Sequence, residues 1–519
     1  MSDPGITLIV LAAAVVLFVM DRIPVAVVAF LVPLALWATG VLTLGEATAG
    51  FGDPTVLFIG ALFVVSEALD ATGITTWVGN QVMQRGGKNA LTLNVTLMLA
   101  VAVLTALITQ NGAVAALIPV IVVIAIRGRR SPSELLLPAA FSAHAGSLLM
   151  LTGSPVTVIA ADYIEEVGGG RMGLFSIGAI GVPLVLATIV ICVTLGSRLV
   201  PQRTPARALR DFGDHAAVLS RHYDLTAPDE LMDREMGLAE FLVPPRSTFI
   251  GDLVYPGMRT DSGNLVVAAV HRGGADVPEP TELQAGDSLA LRGAWGALDE
   301  ATEDPDLIAV DDPGTVRRQA VPLGAGAKRA VAVLAGMVLL LGTGIVPAPV
   351  AGIVAALAMV LLGVVTVPKA LQAVSWTTLI LVAGMMSLSA AMVSSGAATM
   401  LAEGLVGLLG GAGGYALLGG LFLITAVMGQ LISNTATALI VMPIGIAASA
   451  QLGVSPVPVL VAIAVFAAGA LLTPVATPAN LMVMEAGGYR FGDYWKLGLP
   501  LLLVYGLLGT FLVPVFWPF

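Results

Sequence analysis

Small neutral polar residues interrupt two long apolar stretches of this 519-residue chain. The first interruption is Thr109-Gln110-Asn111-Gly112, and the second is Ser433-Asn434-Thr435. Hydroxyl and amide groups at such positions supply neutral ligands that can take over from water around an ion. Because none of these side chains is charged, the pattern favours weak, reversible coordination over acid–base or nucleophilic catalysis.

Two further interruptions contain proline and glycine, Thr152-Gly153-Ser154-Pro155 and the stretch from Thr473-Pro474 to Ala476-Thr477-Pro478. Proline and glycine end helices and release backbone carbonyls and amides, which lipid cannot satisfy. Freed carbonyls suit a cation, whereas helix N-termini suit an anion. Small polar residues also serve helix packing in membranes. Four breaks at matched positions favour a substrate and ion site over packing alone.

The composition indicates a polytopic membrane protein. Hydrophobic residues make up 57% of the chain and charged residues only 11%, which a soluble protein of this length could not sustain. The first apolar run, 6–20, follows Asp3 rather than a basic region and has no cleavage site, so we predict a retained helix. The single cysteine, Cys192, excludes an intrachain disulfide.

Ten apolar runs approach the length needed to cross a bilayer, five in each half of the chain. They are 6–20, 23–43, 54–80, 133–162 and 172–199, then 329–347, 349–367, 375–404, 456–485 and 497–517. Each half also holds a paired apolar segment, 91–126 or 415–448, with a polar tip in its middle. The predicted domains are a first membrane repeat at 1–199, linkers at 200–236 and 303–326 around a water-exposed domain at 237–302, and a second membrane repeat at 327–519.

The two membrane halves share a residue pattern at one fixed offset. Six pairs of identical residues stand 323 positions apart: Thr55 and Thr378, Ser66 and Ser389, Gly73 and Gly396, Asn111 and Asn434, Gly146 and Gly469, and Pro155 and Pro478. A single register over some hundred residues predicts a duplicated unit.

Basic residues predict the orientation of the two units. Arg85, Lys88, Arg127, Arg129 and Arg130 flank the first paired segment, and the positive-inside rule places them in the cytoplasm. The positions 323 residues later carry no basic residue, so the second unit is expected to be inverted. The paired segments enter and return, either as two spans or as re-entrant hairpins.

The predicted fold is therefore an all-α polytopic inner-membrane protein. It consists of an inverted repeat of five transmembrane helices plus one re-entrant hairpin each, with a small α/β cytoplasmic domain inserted between the repeats. Both termini are expected outside the cell.

Four motifs resemble those of the divalent anion:sodium symporter (DASS, INDY-like) family. SNTATALIVMPIG and TPVATPANLMVMEAGGYRFGDYWKLGLP are similar to its second signature. NGAVAALIPVIVVIA and AHAGSLLMLTGSPVTVI are similar to its first. The resemblance covers both membrane halves. It implies a homodimer in which a transport domain moves against a scaffold domain as an elevator.

The resemblance also implies which residues hold the ions. The expected contacts to a dicarboxylate or sulfate-like dianion are Gln110, Asn111, Gly112, Ser154, Pro155, Ser433, Asn434, Thr435, Thr477 and Pro478. The expected sodium ligands are Asn111, Thr152, Gly153, Asn434 and Ala476. At the first tip the family's Ser-Asn-Thr is replaced by Gln110-Asn111-Gly112, which removes two hydroxyls and leaves both the substrate and the coupling ion open.

Three ionisable residues in apolar segments keep proton coupling open. Glu67 and Asp70 stand three residues apart on one helix face, and His144 precedes the first break. Intramembrane ionisable groups are candidates for a proton or gating role. A structural role at a helix end or a protomer contact is the alternative for Glu67 and Asp70.

The middle segment reads as a strand, a short helix and then further strands over residues 237–302. Asn264 to His271 alternate as a half-buried strand does, and Gly286-Asp287 predicts a turn. The pattern is similar to the RCK-C (TrkA-C) domain, which implies a regulatory or dimer-contact role and an unidentified small ligand. An inert spacer is the alternative. The absence of a G-x-G-x-x-G motif from this segment argues against a dinucleotide-binding domain here.

Together these features predict sodium-coupled symport of a small dianion, with sodium as co-substrate and neither an organic cofactor nor a nucleic-acid partner. Proton-coupled or exchange transport of organic anions is the main alternative. An ion channel regulated by RCK domains would need a TVGYG-like filter, which the sequence lacks. No HExxH, GxSxG, cysteine pair or carboxylate cluster stands at a break, so we do not expect an enzyme.

Overall fold

The computed structural model describes residues 3–20, 22–74, 77–78, 81, 90–127, 130–203, 219, 222–223, 232, 235–260, 262–277, 280–320, 324, 326–409 and 413–519. The chain divides into two compact units. The helical unit comprises residues 1–68, 79–208 and 329–519, and the sheet unit comprises residues 69–78 and 209–328.

The first half of the chain forms nine α-helices within the described residues. They are α1 Asp3–Met20, α2 Val25–Ala38, α3 Leu44–Ala49, α4 Pro54–Ala71, α5 Ala90–Leu107, α6 Gln110–Arg127, α7 Ser133–Gly146, α8 Pro155–Glu166 and α9 Gly178–Leu199. Short 3-10 helices lie at Gly50–Gly52 and Leu151–Gly153.

The described residues of the middle segment form seven strands and two helices. They are β1 Met236–Leu242, β2 Leu253–Val254, β3 Leu265–Arg272, β4 Ala275–Asp276, β5 Thr281–Glu282, β6 Ser288–Ala294, α10 Trp295–Ala301, β7 Ile308–Ala309 and α11 Pro313–Ala320. One antiparallel sheet has the order β4-β3-β6-β1-β7, and β2 pairs with β5 in a second, two-stranded sheet. Buried Phe241, Leu291, Trp295 and Leu298 belong to its core.

Two details of the middle segment differ from the expectation. Residues 243–252 form turns rather than the predicted short helix, and the helix instead follows β6. The sheet also continues past residue 302, because Ile308 and Ala309 pair with β1. The predicted turn at Gly286 is present, with φ of +90°, a conformation that glycine adopts without a steric penalty.

The second half of the chain forms eleven further α-helices in the described part. They are α12 Ala327–Thr343, α13 Ala348–Leu361, α14 Val367–Ala373, α15 Trp376–Ser394, α16 Ala397–Leu409, α17 Gly414–Leu431, α18 Asn434–Leu452, α19 Pro456–Ala468, α20 Pro478–Gly487, α21 Tyr494–Leu507 and α22 Val513–Phe516. A 3-10 helix at Phe491–Asp493 precedes α21, and a π-helix at Leu508–Leu512 joins α21 to α22.

Seven helical stretches among the described residues are long and apolar enough to cross a membrane. They are Asp3–Met20, Leu44–Ala71, Gly178–Gly196, Trp376–Ser394, Gly414–Leu431, Asn434–Leu452 and Phe491–Phe516. The chain is thus predominantly helical and a multi-pass membrane protein, as predicted. The inversion of the second repeat and the side of each loop stay predictions, and Arg85, Lys88 and Arg129 lie outside the described residues.

The predicted runs 133–162 and 456–485 are each broken into two helices. The first is interrupted between α7 and α8, and the second between α19 and α20. Pro155 and Pro478 begin the second helix of each pair, where the missing proline N–H leaves no hydrogen bond unmade. These breaks agree with the sequence pattern.

The predicted single run 375–404 is two helices, α15 and α16. Gly396 lies between them with φ of +82°, a left-handed conformation that ends a helix. Gly73, 323 residues earlier, has φ of +71° and follows the end of α4. A glycine with positive φ thus follows a helix at both positions of the predicted repeat.

Small residues allow close helix packing in the helical unit. A Cβ added to Gly384 on α15 would lie 2.0 Å from the carbonyl oxygen of Ala29 on α2. A Cβ added to Gly146 on α7 would lie 2.5 Å from the backbone of Ala102 on α5. Each glycine therefore marks a direct contact between two helix backbones.

Candidate functional site

A cavity of about 460 Å³ in the helical unit is lined by the N-terminal ends of four helices. These helices are α6, α8, α18 and α20, and each begins at one of the four predicted breaks. The structure brings together ten residues that the sequence singled out: Gln110, Asn111, Ser154, Pro155, Ser433, Asn434, Thr435, Ala476, Thr477 and Pro478.

Side-chain hydroxyls cap all four helix ends. Ser154 Oγ accepts a hydrogen bond from the Val156 N–H at 3.2 Å, and Ser433 Oγ accepts one from Ala436 at 3.2 Å. Thr477 Oγ1 accepts from Asn480 at 3.3 Å. These three N-cap residues have extended backbones and line the cavity. Their hydroxyl groups therefore determine where each helix begins.

Helix α6 is capped in the same way, through a longer hydrogen bond. Thr109 Oγ1 accepts a hydrogen bond from the Gly112 N–H at 3.4 Å. A helix N-terminus carries partial positive charge because its first N–H groups have no partner within the helix. Four such ends on one cavity therefore create a positive potential without any charged side chain.

The wall of the cavity is neutral. The residues described there include no Asp, Glu, Lys, Arg or His. Phe18, Val25, Phe63 and Leu381 provide apolar surface. A neutral, partly apolar wall strengthens the electrostatic effect of the helix ends because it holds less polarisable water than an open surface.

Gln110 supplies a hydrogen-bond donor that no described residue of the protein uses. The side chain is 7% exposed, and its Nε2 has no hydrogen-bond partner among the described residues. An unpartnered buried amide N–H is costly unless a ligand accepts its hydrogen bond. The position of Gln110 therefore supports a site for a ligand that accepts hydrogen bonds, such as an anion.

Gln430, which the sequence pattern did not single out, holds the second tip against the break that follows α19. Its Nε2 donates to Gly469 O at 3.2 Å, and its Oε1 accepts from Leu472 N–H at 2.7 Å. Thr473 Oγ1 donates to the Gln430 carbonyl at 3.1 Å. The signal available in the sequence was an amide side chain near the end of an apolar run.

Thr377 and Thr378 also line the cavity and were absent from the predicted site. Thr378 is the repeat partner of Thr55, which was a signal that the two positions share a role. Its Oγ1 lies 2.7 Å from Ser375 Oγ. These hydroxyls place further polar groups at the start of α15.

Three predicted site residues in the first half of the chain, Gly112, Thr152 and Gly153, are not among the residues that line this cavity. Thr152 Oγ1 donates to Ala106 O at 3.1 Å and faces a separate cavity of about 500 Å³. A Cβ on Gly153 would lie 2.5 Å from Ser147 O, and one on Gly112 would lie 2.8 Å from Ser66 Oγ. These glycines stand at close-packed positions, and the sodium role predicted for Thr152 and Gly153 stays a prediction.

The ionisable candidates lie behind the cavity wall or away from it. Glu67 and Asp70 are half-buried on α4. His144 is fully buried on α7, with Nδ1 3.1 Å from Ala468 O and Nε2 3.0 Å from Asn480 Oδ1. His144 Nε2 also lies 3.4 Å from the Oγ1 of Thr477. Thr477 thus separates His144 from the cavity.

The sheet unit has a cavity of its own, of about 340 Å³. Its lining is mainly apolar, with Phe249, Met258 and Leu307, while Arg259 and the three acidic residues Asp252, Glu300 and Asp304 contribute charge. The expectation of a small ligand for this unit stays a prediction.

Comparison with known proteins identifies a transporter family. The family model for CitMHS, described as citrate transporter, matches residues 15–421 and 407–519. The uncharacterized transporter YfbS of Escherichia coli is 29% identical over 98% of each chain. The uncharacterized transporter sll0640 of Synechocystis is 23% identical, over 98% of this chain and 96% of its own.

Other similarities are partial. Sodium/sulfate cotransporter 1 of Chlamydomonas reinhardtii is 28% identical over 46% of this chain and 28% of its own length. The solved structure of the Alcanivorax borkumensis YdaH transporter aligns with a TM-score of 0.46 at 16% identity, over 93% of this chain and 89% of that one.

The matching family and its relatives are transporters, which confirms the prediction that this protein is not an enzyme. The family match covers both membrane halves, where all four breaks and the cavity lie. The chain belongs to CitMHS, the citrate transporter family.

Proposed function

We propose that this protein is a secondary active transporter that carries a small dianion together with sodium. The observation that supports it most directly is the convergence of four helix N-termini on one uncharged cavity. Such an arrangement attracts negative charge through backbone dipoles and exposed N–H groups. It binds reversibly because no fixed cation holds the anion.

The anion itself is proposed to contact both tips. Asn111 and Gln110 face it from the first, while Ser433, Asn434 and Thr435 face it from the second. Ser154 and Thr477, with the prolines that follow them, complete the wall. A doubly charged oxyanion has enough acceptor atoms to use donors from several helix ends at once.

Sodium is proposed to bind at the same breaks, through Asn111, Thr152, Gly153, Asn434 and Ala476. Carbonyl and hydroxyl oxygens at unwound backbone suit a hard monovalent cation. Two proteins of Chlamydomonas that align with under half of this chain are named sodium/sulfate cotransporters. That similarity supports sodium as co-substrate.

Alternating access is proposed to follow the elevator scheme, with an inverted second repeat, a homodimer and the sheet unit in the cytoplasm as an RCK-C-like regulatory domain. The 323-residue offset between matched breaks and matched positive-φ glycines supports the duplication. Exposed apolar helix faces, such as Leu186 and Val190 on α9, agree with lipid contact or a second copy.

Transport of an organic anion such as citrate, coupled to protons or to exchange, is the second candidate. The description of the matching family favours it, as does the placement of His144 one residue behind the cavity. A tricarboxylate is larger than sulfate, and the cavity of about 460 Å³ accommodates either.

Proteoliposome uptake tests the proposal. Labelled sulfate, succinate and citrate are offered with an inward sodium gradient, an inward proton gradient, or neither. Accumulation of sulfate or succinate that needs sodium is the expected result. Uptake that ignores sodium and follows the pH gradient would overturn sodium coupling, and no uptake of any of the three would overturn the assignment of a small di- or tricarboxylate or sulfate as substrate.

A further inference from the structure

His144 occupies a buried position in which both ring nitrogens face hydrogen-bond acceptors. Nδ1 lies 3.1 Å from the carbonyl oxygen of Ala468, and Nε2 lies 3.0 Å from Oδ1 of Asn480. A backbone carbonyl cannot donate. A neutral imidazole carries only one N–H, so it can satisfy one of these two contacts and leaves the other as a lone pair against a lone pair.

The orientation of the Asn480 amide is fixed by its other contacts. Its Nδ2 donates to Ala470 O at 2.9 Å and to Thr473 O at 3.0 Å, so Oδ1 must point to the histidine. Turning the amide over would put Oδ1 against two carbonyl oxygens. When the neutral ring donates from Nδ1, Nε2 can accept from the Thr477 hydroxyl, but the closer Asn480 Oδ1 still faces it without a proton. An imidazolium would supply that proton.

A permanent imidazolium would be costly here, because no acidic side chain compensates it. On the helices that pack against α7, the described titratable and charged side chains are Cys192 and Arg198 on α9, Glu485 on α20, and Tyr494, Lys496 and Tyr505 on α21. None of them hydrogen-bonds or forms an ion pair with His144 within the described residues. Helix α6 also packs against α7 and ends in Arg127, and α7 itself carries Glu134 in its first turn. Helices α5 and α19 contribute no titratable side chain.

The missing negative charge has a place to bind. Thr477 Oγ1 lies 3.4 Å from His144 Nε2, and Thr477 lines the cavity as the cap of α20. An anion beside Thr477 would thus sit one side chain away from the imidazole in a medium of low dielectric, where opposite charges interact strongly. Such a charge favours the protonated form of a nearby histidine.

We propose that His144 takes up a proton when an anion binds in this cavity, so that anion and proton binding are thermodynamically coupled. The inference rests on the proposed anion site. The balance is simple: one proton moves from solvent to the unprotonated ring nitrogen, no bond to the anion forms, and the site gains one positive charge. Sodium coupling is a separate matter, because a proton bound in this way can compensate charge whether or not it is carried across.

The coupling predicts how affinity depends on pH. Since the anion raises the proton affinity of His144, protons raise the affinity for the anion by the same factor. Affinity is then highest at low pH and falls as pH rises, with a limiting slope of about tenfold in Kd per pH unit for one proton. Sulfate is the suitable probe, because its own charge does not change in the range in which histidine titrates.

The experiment uses the full chain in nanodiscs, saturating sodium and sulfate titrations across about pH 5 to 8. Calorimetry in buffers of different ionisation enthalpy measures the protons taken up per sulfate in the wild-type protein, without any variant. We expect an uptake that approaches one proton, and a pH-independent Kd with no uptake in His144→Gln. His222→Gln, an exposed histidine in the sheet unit, is the control and keeps the wild-type slope.

Each failure has its own meaning. If the wild-type protein binds neither sulfate nor, in the same titration, succinate or citrate at any pH, the proposed function fails. If it binds sulfate without proton uptake, or if the uptake persists in His144→Gln, the anion site stands and the role of His144 is rejected. Should His144→Gln not fold, ¹⁵N-histidine NMR of the wild-type protein decides, because one ring must change from neutral to doubly protonated when sulfate is added.

Discussion

The side chain of Gln430 donates a hydrogen bond of 3.2 Å to the carbonyl oxygen of Gly469, across the gap between the second tip and the break after α19. The same amide accepts from Leu472 N–H, so one side chain satisfies both a carbonyl and an amide that the break has released. The two walls of the cavity that come from the second half of the chain are thereby tied together.

Replacing Gln430 with leucine should weaken anion binding and loosen the fold. The substitution keeps the side-chain volume but leaves Leu472 N–H and Gly469 O unsatisfied in a buried place, at about 1–3 kcal/mol for each lost partner. Thermal unfolding in detergent and sulfate binding are the measurements.

Gln451→Leu is the matched control, since Gln451 is exposed and makes one hydrogen bond, to Thr399 O. Equal behaviour of the two variants would show that the Gln430 contacts contribute nothing particular to the site.

Asn434→Ala should abolish uptake while the protein still folds. Asn434 lines the cavity, and its Oδ1 accepts a hydrogen bond from the Thr435 N–H at 2.9 Å, so alanine removes polar atoms from the second tip and frees that amide. The cap itself, Ser433, is retained. Proteoliposome uptake and the elution volume of the purified protein are compared with those of Asn264→Ala, an exposed asparagine of the sheet unit. Wild-type uptake by Asn434→Ala would reject its assignment to the site.

Gly384→Ala should destabilise the helical unit, because the added methyl group would lie 2.0 Å from the Ala29 carbonyl oxygen and force α2 and α15 apart. Overpacking of this kind typically costs about 1–3 kcal/mol, and backbone atoms cannot move aside as a side chain can. Gly404→Ala, in the interior of α16 with open space around it, is the control. It should be neutral or stabilising by about 0.5–1 kcal/mol. A melting temperature that is equally high for both variants would contradict the close contact.

Asp287→Asn should destabilise the sheet unit. The buried Asp287 carboxylate accepts two hydrogen bonds of 2.7 Å from Arg272 and one of 2.8 Å from Gln284 N–H. Hydrogen bonds to a charged group are worth about 1.5–3 kcal/mol, and the amide cannot accept the arginine fork on both sides. Limited proteolysis of the full chain measures the change, with the exposed Glu303→Gln expected within about 0.5 kcal/mol of wild type.

The same carboxylate predicts a pH dependence. Burial alone would raise the pKa of Asp287, but the hydrogen bonds from Arg272 and Gln284 and the arginine charge outweigh it and hold the pKa below its ordinary value. The stabilisation is therefore complete above the unfolded pKa of about 3.9 and is lost as pH falls through the lower folded value. Protease resistance of the sheet unit should fall in that acidic range for the wild-type protein and less steeply for Asp287→Asn. Parallel pH curves for the two proteins would exclude Asp287 as the group responsible.

Local chemistry allowed much of the site to be predicted. A proline at the first helical position and a hydroxyl before it specify a helix start wherever they occur, as at Ser154-Pro155 and Thr477-Pro478. The left-handed Gly396 was visible as a repeat partner of Gly73, but the helix end that it makes was missed in the predicted run 375–404. Ser394 and Ser395 directly precede Gly396, but serines are also common inside membrane helices, so they did not reveal the break.

The sequence by itself determined the membrane class, the four helix breaks and the neutral polar character of the tips, because each depends on neighbouring residues and on the cost of unpaired backbone in lipid. Only the tertiary structure decided that Thr152 and Gly153 do not line the cavity, that Gln430 joins two breaks, and that His144 lies against Asn480, 336 residues further along the chain. Those relationships depend on helix packing over long sequence separations, where side-chain direction follows from the whole arrangement of helices and not from any local motif.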